Sequence, residues 1–186
     1  MPTLFNKDFE LGGLWMSFHN ELVKLLPLLD KTNSNDSNRS YVRSFFSMVE
    51  GISYRTRQIL LARQAANEIK LSLEQMIVLS ETSIGIDTNG NIHKRTKFYD
   101  LKSMMLFTYK TYCECNNKIE LFDKYISEIR YKNFIESIQM RNRITHPKTL
   151  MDVFINGDDI QIVLTSHDWF HDFTSEIFLG DLLKED

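Results

Sequence analysis

At 186 residues, 42% of them hydrophobic, the chain is long enough to bury one good core and too short for two independent domains. Its 22 Lys and Arg against 25 Asp and Glu make a mildly acidic total, which by itself points neither to nucleic acid nor to an anionic membrane surface. Two cysteines, Cys113 and Cys115, form a lone C-x-C, which argues against a zinc site and against a disulfide-stapled secreted domain.

Charge is unevenly distributed. From Arg39 to Lys70 six basic residues face only Glu50 and Glu68, and from Lys118 to Lys148 basic residues again outnumber acidic ones. From Asp152 onward Lys184 alone opposes nine acids, so an acidic tail masks basic regions that suit an anionic ligand. No leader pattern opens the chain, and no apolar run approaches the roughly 18 residues that span a bilayer. The expectation is a cytoplasmic protein with no membrane partner.

In chain order, apolar residues from Phe9 to about Leu29 paint one stripe on a first helix, which Pro27 is expected to end or kink. The polar run KTNSNDSN (31–38) reads as a loop. Val42, Phe45, Phe46, Val49, Ile52, Ile59 and Leu60 then predict a long second helix reaching about Asn67. Ser72 with Gln75 forms a capping box for a short helix through Leu79. The stretch SIGIDTNGNIHKR (83–95), with Asn89-Gly90 at its centre, predicts a small hairpin or ordered loop.

Helical periodicity resumes at Phe98, with Leu101, Met104, Met105 and Thr108 on one side, and stops near Cys115. Another stretch starts near Ile119 and runs, with a break around Arg130 to Lys132, through Phe134, Ile135 and Ile138. Alternation in MDVFINGDDIQIVL (151–164) around Asn156-Gly157 predicts a second hairpin. A last helix, capped by Thr165 or Ser166, places Trp169, Phe170, Phe173 and Ile177 inward. The fold class expected is all-α: one domain over residues 1–186, a helical bundle with two small β-hairpin excursions.

The stretch MRNRITHPK (140–148) concentrates polar chemistry at the end of an apolar helix. Asn142 and His146, four apart, share a helix face, whereas Arg141 and His146 lie roughly 140° apart on an ideal helix. They converge only if the helix loosens. Pro147 provides for that, since it disfavours the α conformation of the residue before it and cannot donate to the helix ladder. An arginine fork matches two phosphate oxygens and stabilises charge developing on a phosphorane. A histidine takes a proton from a ribose 2′-hydroxyl or gives one to a leaving 5′-oxygen. Asn142 can orient the histidine or bind a phosphate oxygen. Such a trio suits RNA cleavage that needs neither metal nor cofactor, with the 2′-hydroxyl attacking its own phosphate. The bland alternative is a helix C-terminus, with a basic last turn and a proline beyond it.

RNRITHP resembles the signature of the HEPN superfamily, all-helical nucleotide-binding and RNase domains marked by arginine, four to six residues, then histidine, commonly with a polar residue after the arginine. Arg141, Asn142 and His146 fit that pattern, as does a motif near the end of a later helix behind a long second helix from Tyr41. The resemblance implies a HEPN-like bundle, RNA as substrate, a homodimer whose facing motifs form one composite cleft, and use as a toxin or antiphage effector, with an antitoxin or other protein partner. Arg43 and Glu50, seven apart and so nearly on one face of the second helix, are supporting candidates, because polar residues there approach the motif in family members. Lys148 stands where members controlled by AMP transfer carry tyrosine, which puts that control in doubt and leaves Lys148 as a candidate substrate contact. The family also holds non-catalytic nucleotide- or protein-binding modules. His167 and His171, four apart and each followed by aspartate, could offer one face to the divalent metal of a hydrolase but lack a third placed ligand, and read first as solvated positions at a helix N-terminus. His19 and His93 read as incidental.

Overall fold

The computed structural model describes residues 4–32 and 34–179, with side chains from 11 to 29 and from 34 to 178; Phe9 of the predicted stripe and Asn33 of the polar run lie outside these. Among the described residues, seven helices and one two-stranded hairpin make an all-α fold with a small β excursion. Helix α1 (Leu4–Thr32) runs through Pro27, so of the end or kink expected there the end does not occur. Pro27 is exposed near the end of the helix, and the carbonyl it strands belongs to Val23, an exposed residue.

Nor is the polar run a loop. Helix α2 (Asn35–Ala65) starts inside it: Ser34 caps the helix by accepting from the Ser37 amide at 3.2 Å, and Asp36 favours the positive end of the dipole. The loop-like composition is that of a cap followed by an exposed first turn. Asn67, at φ 58°, turns the chain away just beyond the helix.

The capping box of Ser72 and Gln75 opens α3 (Leu73–Leu79) as expected. Strands β1 (Thr82–Ile86) and β2 (Ile92–Thr96) pair antiparallel with Ile86 opposite Ile92. Their turn is organised by the Asp87 carboxylate, which accepts from the Asn89 and Asn91 amides at 2.8 Å each, while Gly90 takes φ 81°. Those hydrogen bonds hold the Asp87 carboxyl below its ordinary pKa.

Asp100 caps α4 (Leu101–Cys115). The long stretch after it breaks at Glu128, two residues before the expected position, into α5 (Ile119–Ser127) and α6 (Ile129–Thr145). The second predicted hairpin is absent from the described residues. Instead a 3₁₀ turn (Leu150–Val153) leads into α7 (Gly157–Leu179). Asn156-Gly157 is a helix start rather than a turn: the Asp159 amide donates to the Asn156 side chain at 2.8 Å, and the Asn156 amide donates back to Asp159 at 3.2 Å. Thr165 and Ser166, expected as caps, lie inside α7, where their hydroxyls donate to the Gln161 and Ile162 carbonyls.

Helices α1 and α2 form an antiparallel pair. The Phe18 ring covers Gly51, where a Cβ would come within 2.9 Å of it; Ser44 donates to Glu21; Leu29 and Asn38 line one cleft. Numbers rise on one helix as they fall on the other. Helix α2 also packs on α4, α6 and α7, and α6 packs along α7. The core is aromatic where these meet. Phe134 of α6 lies 4.9 Å from Trp169 of α7, Trp169 stacks on Phe173 at 5.2 Å, and Phe45 of α2 meets Phe134 edge-on. Trp169, Phe170, Phe173 and Ile177 all point inward as expected.

Because Trp169 is fully buried and its indole N–H donates to the Tyr125 carbonyl at 3.0 Å, Trp169→Ala opens a large cavity and strands an acceptor. A cost of about 3–5 kcal/mol in urea unfolding is expected. A cost below about 1 kcal/mol would contradict this account of the core.

Candidate active site

Helix α2 carries a polar stripe on the side away from the core. Arg43, Ser47, Glu50 and Tyr54 recur at intervals of three and four and fall within about 60° of arc at 100° per residue. The end of α6 comes to this stripe. Arg141 Nη2 donates to Glu50 Oε1 at 2.5 Å, across 91 positions of sequence. Its Nη1 donates to the Asn142 side-chain oxygen at 3.1 Å. The guanidinium is thus held on two sides, half-buried, with its direction fixed.

Of the residues the sequence singled out, the structure brings together Glu50, Arg141 and Asn142. Arg43 lies one helical repeat from Glu50 on the same stripe, exposed and with no ion pair among the described residues. His146 is the C-cap of α6. Its amide still donates to the Asn142 carbonyl at 3.0 Å, but its own φ of −127° and ψ of 60° have left the helix, as Pro147 requires. The imidazole is exposed and makes no hydrogen bond to another described side chain. The Asn142 side chain is engaged with Arg141, not with that imidazole.

The chain beyond His146 is fixed by backbone capture. Asp152 accepts from the Lys148 and Thr149 amides at 2.8 Å each, which holds its carboxyl below the ordinary range and leaves the Lys148 side chain exposed. Arg143 is an anchor of another kind. Its Nη2 donates to the Phe154 carbonyl at 3.0 Å and to Asp159 at 3.1 Å, tying the end of α6 to the start of α7. Between these anchors the 3₁₀ turn directs Leu150, Met151 and Phe154 outward, an exposed apolar group beside the motif that the hairpin expectation concealed.

No family model, no curated protein and no solved structure matches the chain. The resemblance to HEPN domains therefore stands on the motif and on the placing of its helices.

A second polar cluster went unrecognised in the sequence. His19 of α1 stacks on Trp15 (centroids 5.1 Å) and lies 5.0 Å from His171 and 6.0 Å from His167, both of α7. His167 is buried mid-helix and not at a solvated N-terminus, because α7 begins ten residues earlier than its position. Its Nδ1 pairs with the Tyr41 hydroxyl at 2.8 Å, and its Nε2 and the Nδ1 of His19 are buried without a partner among the described residues. The spacing of Trp15 and His19, four apart like His167 and His171, is the signal that could have joined them. Among the described residues no group of three or more His, Cys, Asp or Glu is arranged to hold a metal ion.

Burial first, then the neighbouring His19 and His171, push the His167 pKa down to about 4. The folded state therefore binds fewer protons than the unfolded chain between about pH 4 and the ordinary histidine value of about 6.5. Stability from this group is complete above that window and is lost as pH falls through it, with a slope approaching about 1.4 kcal/mol per pH unit. Melting temperature should drop between about pH 6.5 and about pH 4.5, and His167→Gln should flatten that part of the profile. A variant profile parallel to the wild type would contradict the assignment.

Proposed function

We propose that the protein is a metal-independent endoribonuclease of the HEPN type, acting as a toxin or antiphage effector. One observation carries the reading: Arg141 is held in a fixed direction by Glu50 and Asn142, while His146, at an unwound helix end, keeps an uncommitted imidazole. A helix end serving only as a stop needs neither a guanidinium clasped from a second helix nor, five residues on, an exposed histidine whose imidazole makes no hydrogen bond among the described residues.

In the reaction, His146 takes the proton of a ribose 2′-hydroxyl as that oxygen attacks the adjacent phosphorus. The new P–O2′ bond forms as the P–O5′ bond breaks, leaving a 2′,3′-cyclic phosphate and a protonated 5′-hydroxyl. Arg141 binds the non-bridging oxygens, whose charge grows in the transition state, and Glu50 keeps the fork pointed. Arg43 and Lys148, both exposed, would hold flanking phosphates. A second copy apposed through Leu150, Met151 and Phe154 would bury an apolar group and bring a second His146 to the same phosphate, so that one imidazole acts as base and the other as acid.

A second reading, a non-catalytic module that binds a nucleotide or a protein, draws on the same clasp, since Glu50 and Asn142 already compensate the guanidinium. It predicts ligand-dependent stabilisation without turnover.

Purified protein is expected to cleave RNA in EDTA. His146→Ala should slow cleavage by about a hundredfold or more and Arg141→Ala by about a hundredfold, each with an unchanged melting profile. Wild-type rates in both variants would overturn the catalytic reading, and ligand binding with no cleavage in the wild type would favour the second.

A further inference from the structure

The β1–β2 hairpin stands apart from the aromatic core, and packing does not account for its exposed residues. Residues alternate across it, so Ile84, Ile86, Ile92 and Lys94 share one face, while Ser83, Gly85, His93 and Arg95 share the other. Lys97 extends the second face, because its amide still donates to the Glu81 carbonyl at 2.8 Å in continuation of the ladder. On that face the β1 side is stripped down. Gly85 lies under the His93 ring, with no room for a Cβ, which would come within 2.7 Å of His93 Nε2. Against this low floor stand His93, Arg95 and Lys97 in a row, two residues or about 6.8 Å apart, similar to the separation of successive phosphates along a single strand.

The shelf is basic and open. Arg95 and Lys97 are exposed, with no ion pair among the described residues; of the carboxylates on the extended hairpin, Asp87 is spent on the turn amides and Glu81, across from Lys97, on Arg57. Lys97 lies over the Tyr99 ring at 4.9 Å, which directs its ammonium without neutralising it.

The hairpin is also joined to the candidate site. Its root is anchored by Arg57 of α2, which pairs with Glu81 at 3.0 Å, and Arg57 lies on the stripe of Arg43, Glu50 and Tyr54, about 10.5 Å along the axis from Glu50. Between them stands Tyr54, 55% exposed, with the Arg57 guanidinium 5.4 Å from its ring. A flat aromatic face one turn beyond Glu50, followed by a basic shelf, forms a stacking platform and then a backbone track.

We propose that the His93, Arg95 and Lys97 face of the hairpin binds the phosphate backbone of single-stranded RNA, with Tyr54 stacking a base on the way from Arg141 to that shelf. The choice of RNA rests on the catalytic reading; the basic track itself does not.

The test uses the full chain carrying His146→Ala, so that binding is read without cleavage, and a fluorescein-labelled single-stranded RNA of about 20 nucleotides at about 50 and 200 mM salt. Arg95→Glu with Lys97→Glu should weaken binding at least tenfold and reduce the salt slope by about 1.4, two contacts at about 0.7 each. Lys94→Glu, the same charge change on the opposite face, should stay within about twofold. Arg95→Gln with Lys97→Gln replaces the reversal if its melting profile is altered. Unchanged binding in the double variant, equal loss in Lys94→Glu, or no RNA binding at all overturns the proposal. Loss of binding only when Ile84, Ile86 and Ile92 become threonine also overturns it, because the RNA contact then belongs to the apolar face. Because the readout is binding, failure of the hairpin leaves cleavage by Arg141 and His146 standing, and absence of cleavage leaves the binding result readable.

Discussion

Phe134 lies between Phe45 of α2 and Trp169 of α7, and the position of the candidate site at the end of α6 follows from that contact. It fixes α6 against both neighbours, and Ile138 and Ile144, buried on the same helix, carry the register toward the C-terminal end. With that register set, Arg141 emerges opposite Glu50, not one turn above or below it. Burial of an aromatic side chain stabilises by several times what an exposed ion pair contributes. The energetic order is therefore clear: the core places the guanidinium, and Glu50 only aims it.

The end of α6 serves two needs with one arrangement. Pro147 forces His146 out of the helix, which ends the hydrogen-bond ladder and at the same time frees an imidazole from the helix face. The freed chain is then recaptured through its backbone by Asp152, and Arg143 ties the helix end to α7. Neither anchor uses the side chains that matter for the proposed chemistry. A fixed backbone is one condition for a preorganised site, and a side chain aimed by its own partners, as Arg141 is by Glu50 and Asn142, is the other. The same division appears in the hairpin, where Asp87 holds the turn and leaves the basic shelf open.

Where local chemistry had one meaning, the fold was legible. Ser72 with Gln75 opened a helix, and the apolar spacing of α2 and α4 gave their inward faces. It was illegible where one residue type has two uses. Ser34 and Asp36 suit a loop as well as a helix start, and Asn156-Gly157 suits a tight turn as well as an N-cap followed by a first helical residue; in each case capping won. Missing the early start of α7 also hid the burial of His167. At the candidate site the sequence supplied the members but not their pairing. Seven-residue spacing placed Arg43 and Glu50 on one face, yet only packing brings Arg141 to Glu50, and no spacing rule links residues 91 positions apart. The histidine cluster was invisible for the same reason, since His19 reaches its partners across the bundle.

The proposed chemistry makes the ribose 2′-hydroxyl the nucleophile, with Arg141 and His146 acting on the phosphate it attacks. The most direct measurement incubates the protein in EDTA with an RNA and with the DNA of the same sequence, and weighs the products by mass spectrometry. Only the RNA should be cut, and every new 3′ end should carry a 2′,3′-cyclic phosphate. Cutting of the DNA at a comparable rate, or RNA products ending in a 3′-hydroxyl, would contradict that chemistry.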